Sequence, residues 1–280
     1  MRRPLVISLL TALLLVPLGT ASPPRPVERA SAGGSFGTAL LTAGGPRYPW
    51  SLRVGDARRF ADRRSGRVAF AIVDERGRLH GFHKRHTFHS ASTIKVLLLA
   101  AYLRQGGVRS RRLRGSERAL LEPMIRRSDD TTATIVRNMV GNDSLRRLAR
   151  AARLRDFAVH PVWGLSLVSA RDMSRLMRRL PELLPRRHRH YALRLLRRIV
   201  PSQRWGMPAV RPRGWRIHFK GGFVGGRGYW WVHQIALLER PGRRLGVAVF
   251  TDGSSSLRYG AATIRGVVGR LLRGYQRYDH

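Results

Sequence analysis

The apolar positions fall into short runs at the two ends of the chain and into helical periodicity between them. Residues 50–64 carry a helical pattern. Gly66-Arg67 then opens a continuous apolar run, Val68-Ala69-Phe70-Ala71-Ile72-Val73, which ends at Asp74-Glu75-Arg76-Gly77 and returns through Leu79 and Phe82. That is a strand, a turn and a second strand, a hairpin with one side free for burial. From Thr93 to Leu103 nearly every position is apolar, which predicts a helix buried on all sides, with Ser92 as its N-cap or first-turn residue.

Helical patterns follow over 116–125, 131–140, 144–152, 170–180 and 189–200. After Pro212-Arg213-Gly214 come strand patterns over 215–220, 229–238 and 244–251, and a last helix over about 255–272. Strands at both ends and helices between them predict an α/β fold, an α+β sandwich. Both chain ends share one antiparallel sheet, and an all-helical subdomain of about 90–212 is inserted between them.

The first residues read Met1-Arg2-Arg3-Pro4, an apolar run from Leu5 to Val16, then Pro17 and the small residues Gly19, Thr20 and Ala21. A basic, then apolar, then small-residue order predicts a cleavable signal peptide over 1–21 and an exported protein. The run is too short for a spanning helix, which needs about 20 apolar residues. Residues 22–46, rich in Pro, Gly, Ser and Ala, read as a flexible linker, and 47–280 as one domain. The chain contains no cysteine, so it has neither a lipid-modified cysteine nor a disulfide.

The net charge is +38, from 54 basic residues against 16 acidic ones. Such a balance suggests a polyanion partner. The arginines, however, are spread through every segment, and no nucleic-acid-binding motif is present, so no specific nucleic acid is expected. An anionic wall polymer or a membrane surface fits better, with the protein itself a monomer. Only three of the basic residues are lysines: Lys84, Lys95 and Lys220. Arginine can replace lysine on a solvated surface but cannot act as a proton acceptor, so a lysine kept in such a chain points to chemistry.

Two of these lysines stand in motifs. In Ser92-Thr93-Ile94-Lys95 the spacing of three puts hydroxyl and amine on one helix face. A partly desolvated lysine can there activate a serine. Taken alone, the pattern is equally a capping serine and an ordinary lysine. Ser128-Asp129-Asp130, just before a helix, is by itself an N-capping sequence. Lys220-Gly221-Gly222 at the end of a strand is by itself a glycine-rich turn, or a place where a ligand approaches the backbone closely.

Together and in this order, the three motifs resemble the S-x-x-K, S-D-N and K-T-G set of class A β-lactamases and penicillin-binding proteins. The resemblance covers about residues 50–275. It implies a serine acyl-transfer enzyme acting on β-lactams or peptidoglycan-like amides without a cofactor or metal. Ser92 would be the acylated nucleophile and Lys95 its base or proton relay. Ser128 would pass a proton to the leaving nitrogen, and Lys220 would hold the substrate carboxylate. The N–H groups of Ser92 and Phe223 would form the oxyanion hole, with Asp130, Gly221, Gly222 and Phe223 lining the substrate site.

Three departures qualify what is implied. Asp130 replaces an asparagine, Gly221 replaces a hydroxyl residue, and no glutamate occurs between Asp156 and Val168, where the family carries the base for deacylation. Asp156, His160 and Ser166 are the polar residues there, and Glu122, next to Pro123, reads as a helix boundary. Slow deacylation is therefore expected. The alternative is an impaired relative that binds a wall component or another anion in the same cleft. His80, His83, His86 and His89 recur every third residue, a spacing that on an extended chain sends successive rings to opposite faces, against a shared metal. His233, within a strand, has no evident partner in the sequence.

Overall fold

The structure is a computed structural model, and it describes residues 47–278. The signal peptide and linker expected over 1–46 lie outside the described residues. Helix α1 (Trp50–Asp62) leads into strand β1 (Arg67–Val73), and β2 (Leu79–Phe82) returns beside it. At the other end of the chain come β5 (Arg216–Gly226), β6 (Tyr229–Arg240), β7 (Arg243–Ser254) and helix α8 (Leu257–Leu271). These five strands make one antiparallel sheet in the order β2-β1-β7-β6-β5. The ends of the domain therefore meet where β1 pairs with β7, with Phe70 opposite Val249. Helix α8 lies against α1 on one face of the sheet.

Between the two ends run α2 (Lys95–Leu103), the single turn α3 (Gly106–Arg109), α4 (Gly115–Arg126) and α5 (Asp130–Ala152). Helices α6 (Ala170–Leu183) and α7 (Arg186–Arg197) complete the block, α6 lying across β1, β6 and β7. All nine residues of α2 are buried, Lys95 among them, as its uninterrupted apolar run requires. Such a helix is held by burial on every side, at roughly 1.5–3 kcal/mol for each large aliphatic side chain.

Several boundaries differ from the sequence expectation. The patterns over 131–140 and 144–152 are two arms of α5, bent at Gly141, which has φ 69°. Pro123 does not end a helix: α4 continues to Arg126, so Glu122 lies inside it. Strand β5 extends six residues beyond Lys220, and the turn comes at Arg227 and Gly228, both with positive φ. Two three-residue strands, β3 (Thr87–His89) and β4 (Leu167–Ser169), pair as a separate small sheet that the sequence pattern is too short to show.

Candidate active site

Ser92 does not cap α2. It sits in a 3-10 turn, Ala91–Ile94, that leads into the helix, and Ala91 before it has φ 44°. A non-glycine residue held in that region costs energy, and such strain collects at functional sites. The turn is tied down locally: Thr93 Oγ1 donates to Ser90 O at 2.6 Å, and Ser90 N donates to Ser166 O at 2.8 Å.

Ser128 is the centre of the constellation. Lys220 Nζ reaches its Oγ at 2.8 Å, and Lys95 Nζ reaches the same oxygen at 3.3 Å and the Ser128 carbonyl at 2.6 Å. The carbonyl faces Lys95 because Ser128 itself is left-handed, with φ 61°. Asp129 then caps α5, accepting from Thr132 N at 2.7 Å. Within Ser128-Asp129-Asp130 the capping falls to Asp129, while Ser128 and Asp130 face the lysines. Asp130 places Oδ1 2.5 Å from Lys95 Nζ, while 76% of its side chain stays exposed.

Both lysines are fully buried. Burial pushes the Lys95 amine below the ordinary lysine range, and the Asp130 carboxylate opposes that shift. Lys220 is pushed well below it, by burial first and then by the charge of Lys95. Two amines whose charged forms are disfavoured flank one hydroxyl, an arrangement able to hold and pass a proton. Lys95 gives its hydrogen bonds to Ser128 and Asp130, and Ser92 Oγ makes none among the described residues. The direct serine–lysine bond expected from the spacing of three is therefore not formed.

Lys220-Gly221-Gly222 lies mid-strand on β5, at the edge of the sheet. A Cβ on Gly222 would stand 2.8 Å from Ser92 N and 2.9 Å from Thr93 N, so the strand presses on the serine's turn. On an edge strand alternate residues turn N–H and C=O outward. Gly221 O accepts from Lys220 Nζ at 2.7 Å.

In the loop from Asp156 to Val168 each polar candidate already has a partner. Asp156 pairs with Arg171 at 2.7 Å and accepts from Ser169 Oγ at 2.7 Å. Ser166 Oγ accepts from His160 N at 3.1 Å, and the His160 ring turns back on Val162. What faces Lys95 is Trp163, its ring centroid 4.8 Å from Nζ, with Nε1 donating to Thr134 Oγ1 at 3.1 Å. The sequence reading missed Trp163, because an indole is not a candidate base. It also missed Trp205, whose Cζ2 would lie 2.9 Å from a Cβ on Gly221. Gln234 holds that loop, donating to Trp205 O and accepting from Met207 N, each at 2.7 Å. The only sequence signal for Trp205 was the glycine it covers.

The four spaced histidines go to separate partners. His80 meets Asp74 at 3.0 Å, His83 and His86 stack on each other, and His89 meets Leu165 O at 3.0 Å. They cross β2, a turn at His83 (φ 46°) and β3, not one strand. His233 is buried against Phe250, with Nδ1 accepting from Thr251 N at 3.3 Å.

The fold matches solved structures over most of their length. A β-lactamase from Sphaerobacter thermophilus is 20% identical with a TM-score of 0.69, over 82% of this chain and 99% of that one. A class A β-lactamase from Mycobacterium abscessus is 22% identical with a TM-score of 0.65, over 80% and 100%. The structure of PBP-A is 19% identical with a TM-score of 0.66, over 81% and 96%. No curated protein matches the sequence. Residues 108–276 match the model of the β-lactamase enzyme family, a stretch that holds Ser128 and Lys220 and follows the Ser92 turn. With more than half of its length matched, the chain belongs to the β-lactamase enzyme family.

Proposed function

We propose that the chain is an exported serine acyl-transfer enzyme in which Ser92 is acylated and the acyl-enzyme is released slowly. The observation that carries this reading is the single hydroxyl of Ser128 held between two buried lysines, at 2.8 and 3.3 Å, beside the Ser92 turn. Ser92 Oγ attacks a carbonyl carbon, and its proton enters the Lys95–Ser128–Lys220 group. Ser128 returns a proton to the leaving atom. The N–H groups of Ser92 and Phe223 meet the developing oxyanion, where the loss of one such donor costs roughly 100- to 1,000-fold in rate.

Slow release follows from Trp163. Deacylation needs a water and a base beside the ester, and the neighbour of Lys95 on that side is an indole. Export rests on the leader sequence alone.

A second reading, a binding protein without turnover, is favoured by one observation: Lys95 bonds Ser128 and Asp130 rather than Ser92. Labelling with a fluorophosphonate, mapped by peptide mass, separates the two. The enzyme reading expects one adduct on Ser92 that is lost in Ser92→Ala; an unlabelled wild-type protein would leave only the binding reading.

A further inference from the structure

We infer that a groove between helix α8 and the loop carrying Trp205 holds an anionic glycan, a linear polysaccharide bearing carboxylates. The inference does not depend on Ser92 and adds a binding site beside the proposed acyl site.

The groove has two walls. One is α8, where Arg258, Ala261, Ala262 and Arg265 fall on a single face by their spacing of three and four. The opposite face of that helix, with Ile264, Val267 and Val268, is buried. The other wall is the loop from Arg204 to Ala209. The hollow between them measures about 760 Å³, within the size range of sites for small ligands. Its apolar lining is Trp205, Ala209, Leu257 and the two alanines.

No carboxylate lines this groove. Other arginine-lined hollows of the chain do contain acids: Glu122 beside Arg118 and Arg126, and Glu75, Glu182 and Glu239 between Arg178 and Arg244. Arg204 is held in place by donating to Arg197 O at 3.0 Å and by lying over the Phe219 ring, 5.6 Å from its centroid. Among the described residues, Arg258 and Arg265 engage no hydrogen bond, ion pair or ring. Three guanidinium groups around one hollow repel one another, and an anion removes that repulsion. Each can grip a carboxylate through two parallel N–H bonds.

The shape selects a chain over a flat surface. A lipid bilayer meets convex ground and does not reach into a groove. Arg258 and Arg265 stand seven residues apart, roughly 10 Å along the axis at a rise of about 1.5 Å per residue, a separation near the length of a disaccharide. Between them the alanine methyls and the indole offer apolar surface on which the C–H face of a sugar ring can rest, while carboxylates reach the arginines. An acidic peptide would set its backbone N–H and C=O groups against the same lining without partners, at a cost. Trp205 also touches the acyl site: it packs on Gly221 and meets Phe223 edge-on, with centroids 6.3 Å apart. A glycan in the groove is thereby held beside the strand that presses on the Ser92 turn.

Fluorescence anisotropy of a labelled galacturonate oligomer mixed with the whole protein, at about 0.15 M salt, tests the inference. The expected result is saturable binding that Arg258→Ser combined with Arg265→Ser weakens by at least about tenfold. Ala262→Glu, which keeps a good helix former and sets a carboxylate between the arginines, should weaken it similarly. Arg186→Ser combined with Arg187→Ser removes the same charge from the exposed start of α7 and should change Kd by less than about twofold. The uncharged methyl ester of the oligomer should bind at least about tenfold more weakly than the acid. The number of sites is fitted together with Kd, so misfolded material lowers the first and leaves the second unaltered. Absence of binding, an unchanged Kd in the α8 variants, equal weakening by the α7 pair, or tighter binding of poly-L-glutamate or of phosphatidylglycerol vesicles than of the galacturonate overturns the inference. Binding should be the same in Ser92→Ala, so this outcome and that of fluorophosphonate labelling are independent.

Discussion

In the proposed function, Lys95 and Asp130 set the pace of the first step. Acylation requires an amine able to take a proton, and burial favours the neutral form of Lys95 while the Asp130 carboxylate favours the charged one. Replacing Asp130 by asparagine removes the opposing influence, so the pH at which Lys95 loses its proton should fall. The rate of acylation rises with pH as the amine deprotonates. Asp130→Asn should therefore carry that rising limb to lower pH, and each step of about one pH along the axis should raise the rate at pH 7 by about tenfold. The pH–rate profile of fluorophosphonate labelling checks this, and an unmoved limb would place the essential proton elsewhere. This pairing was only partly legible in the sequence. The proximity of Lys95 and Asp130 follows from the motif order, whereas the turn of the Ser128 carbonyl onto Lys95 depends on a left-handed backbone that no side-chain pattern announces.

At the scale of elements, the site is made where the edge strand β5 touches the 3-10 turn of Ser92. The contact is backbone to backbone: Gly222 has room for a hydrogen and not for a methyl group, since a Cβ would stand 2.8 Å from Ser92 N. Gly222→Ala should push strand and turn apart and cut the labelling rate by about 100-fold or more, as the loss of an oxyanion donor does. Melting of the same protein should change little by comparison, because the five-stranded pairing is untouched. Equal labelling of variant and wild type would show that the oxyanion site lies elsewhere. The elements with long periodic patterns, α2 and β1 foremost, are legible in the sequence because burial dictates their residues. The continuation of β5 through Phe223 and Val224 is not, because glycines and exposed residues carry no period. Trp205 and Trp163 reach the site from loops whose course depends on the tertiary bonds of Gln234 and Thr134.

The whole molecule is held by a sheet that its two ends must complete together, with no disulfide to help. One weak point in acid lies inside that sheet. His233 is fully buried, and loss of hydration pushes its imidazole from 6.5 down to about 4, with the nearby Asp252 opposing in part. The unfolded chain thus takes up the proton first. Stability from this residue is complete above about pH 6.5 and declines as pH falls toward 4, by roughly 3 kcal/mol in all. Denaturant midpoints measured between pH 7 and 4 should show the decline, and His233→Gln should flatten it; an equal slope in both proteins would assign the acid sensitivity to other groups. The charge of +38 gave little guide to the site, since arginine is spread through the chain, whereas the scarcity of lysine pointed at two of its members. The proposed function depends on Ser92 taking and keeping an acyl group. The most direct measurement is intact mass over time after mixing the protein with one equivalent of phenyl phenylacetate. The expected record is a single added phenylacetyl group in the wild type that outlasts the ester in solution, and none in Ser92→Ala. A wild-type protein that consumes the ester with no adduct, at tens of turnovers per second, or an adduct that survives in Ser92→Ala, would contradict it.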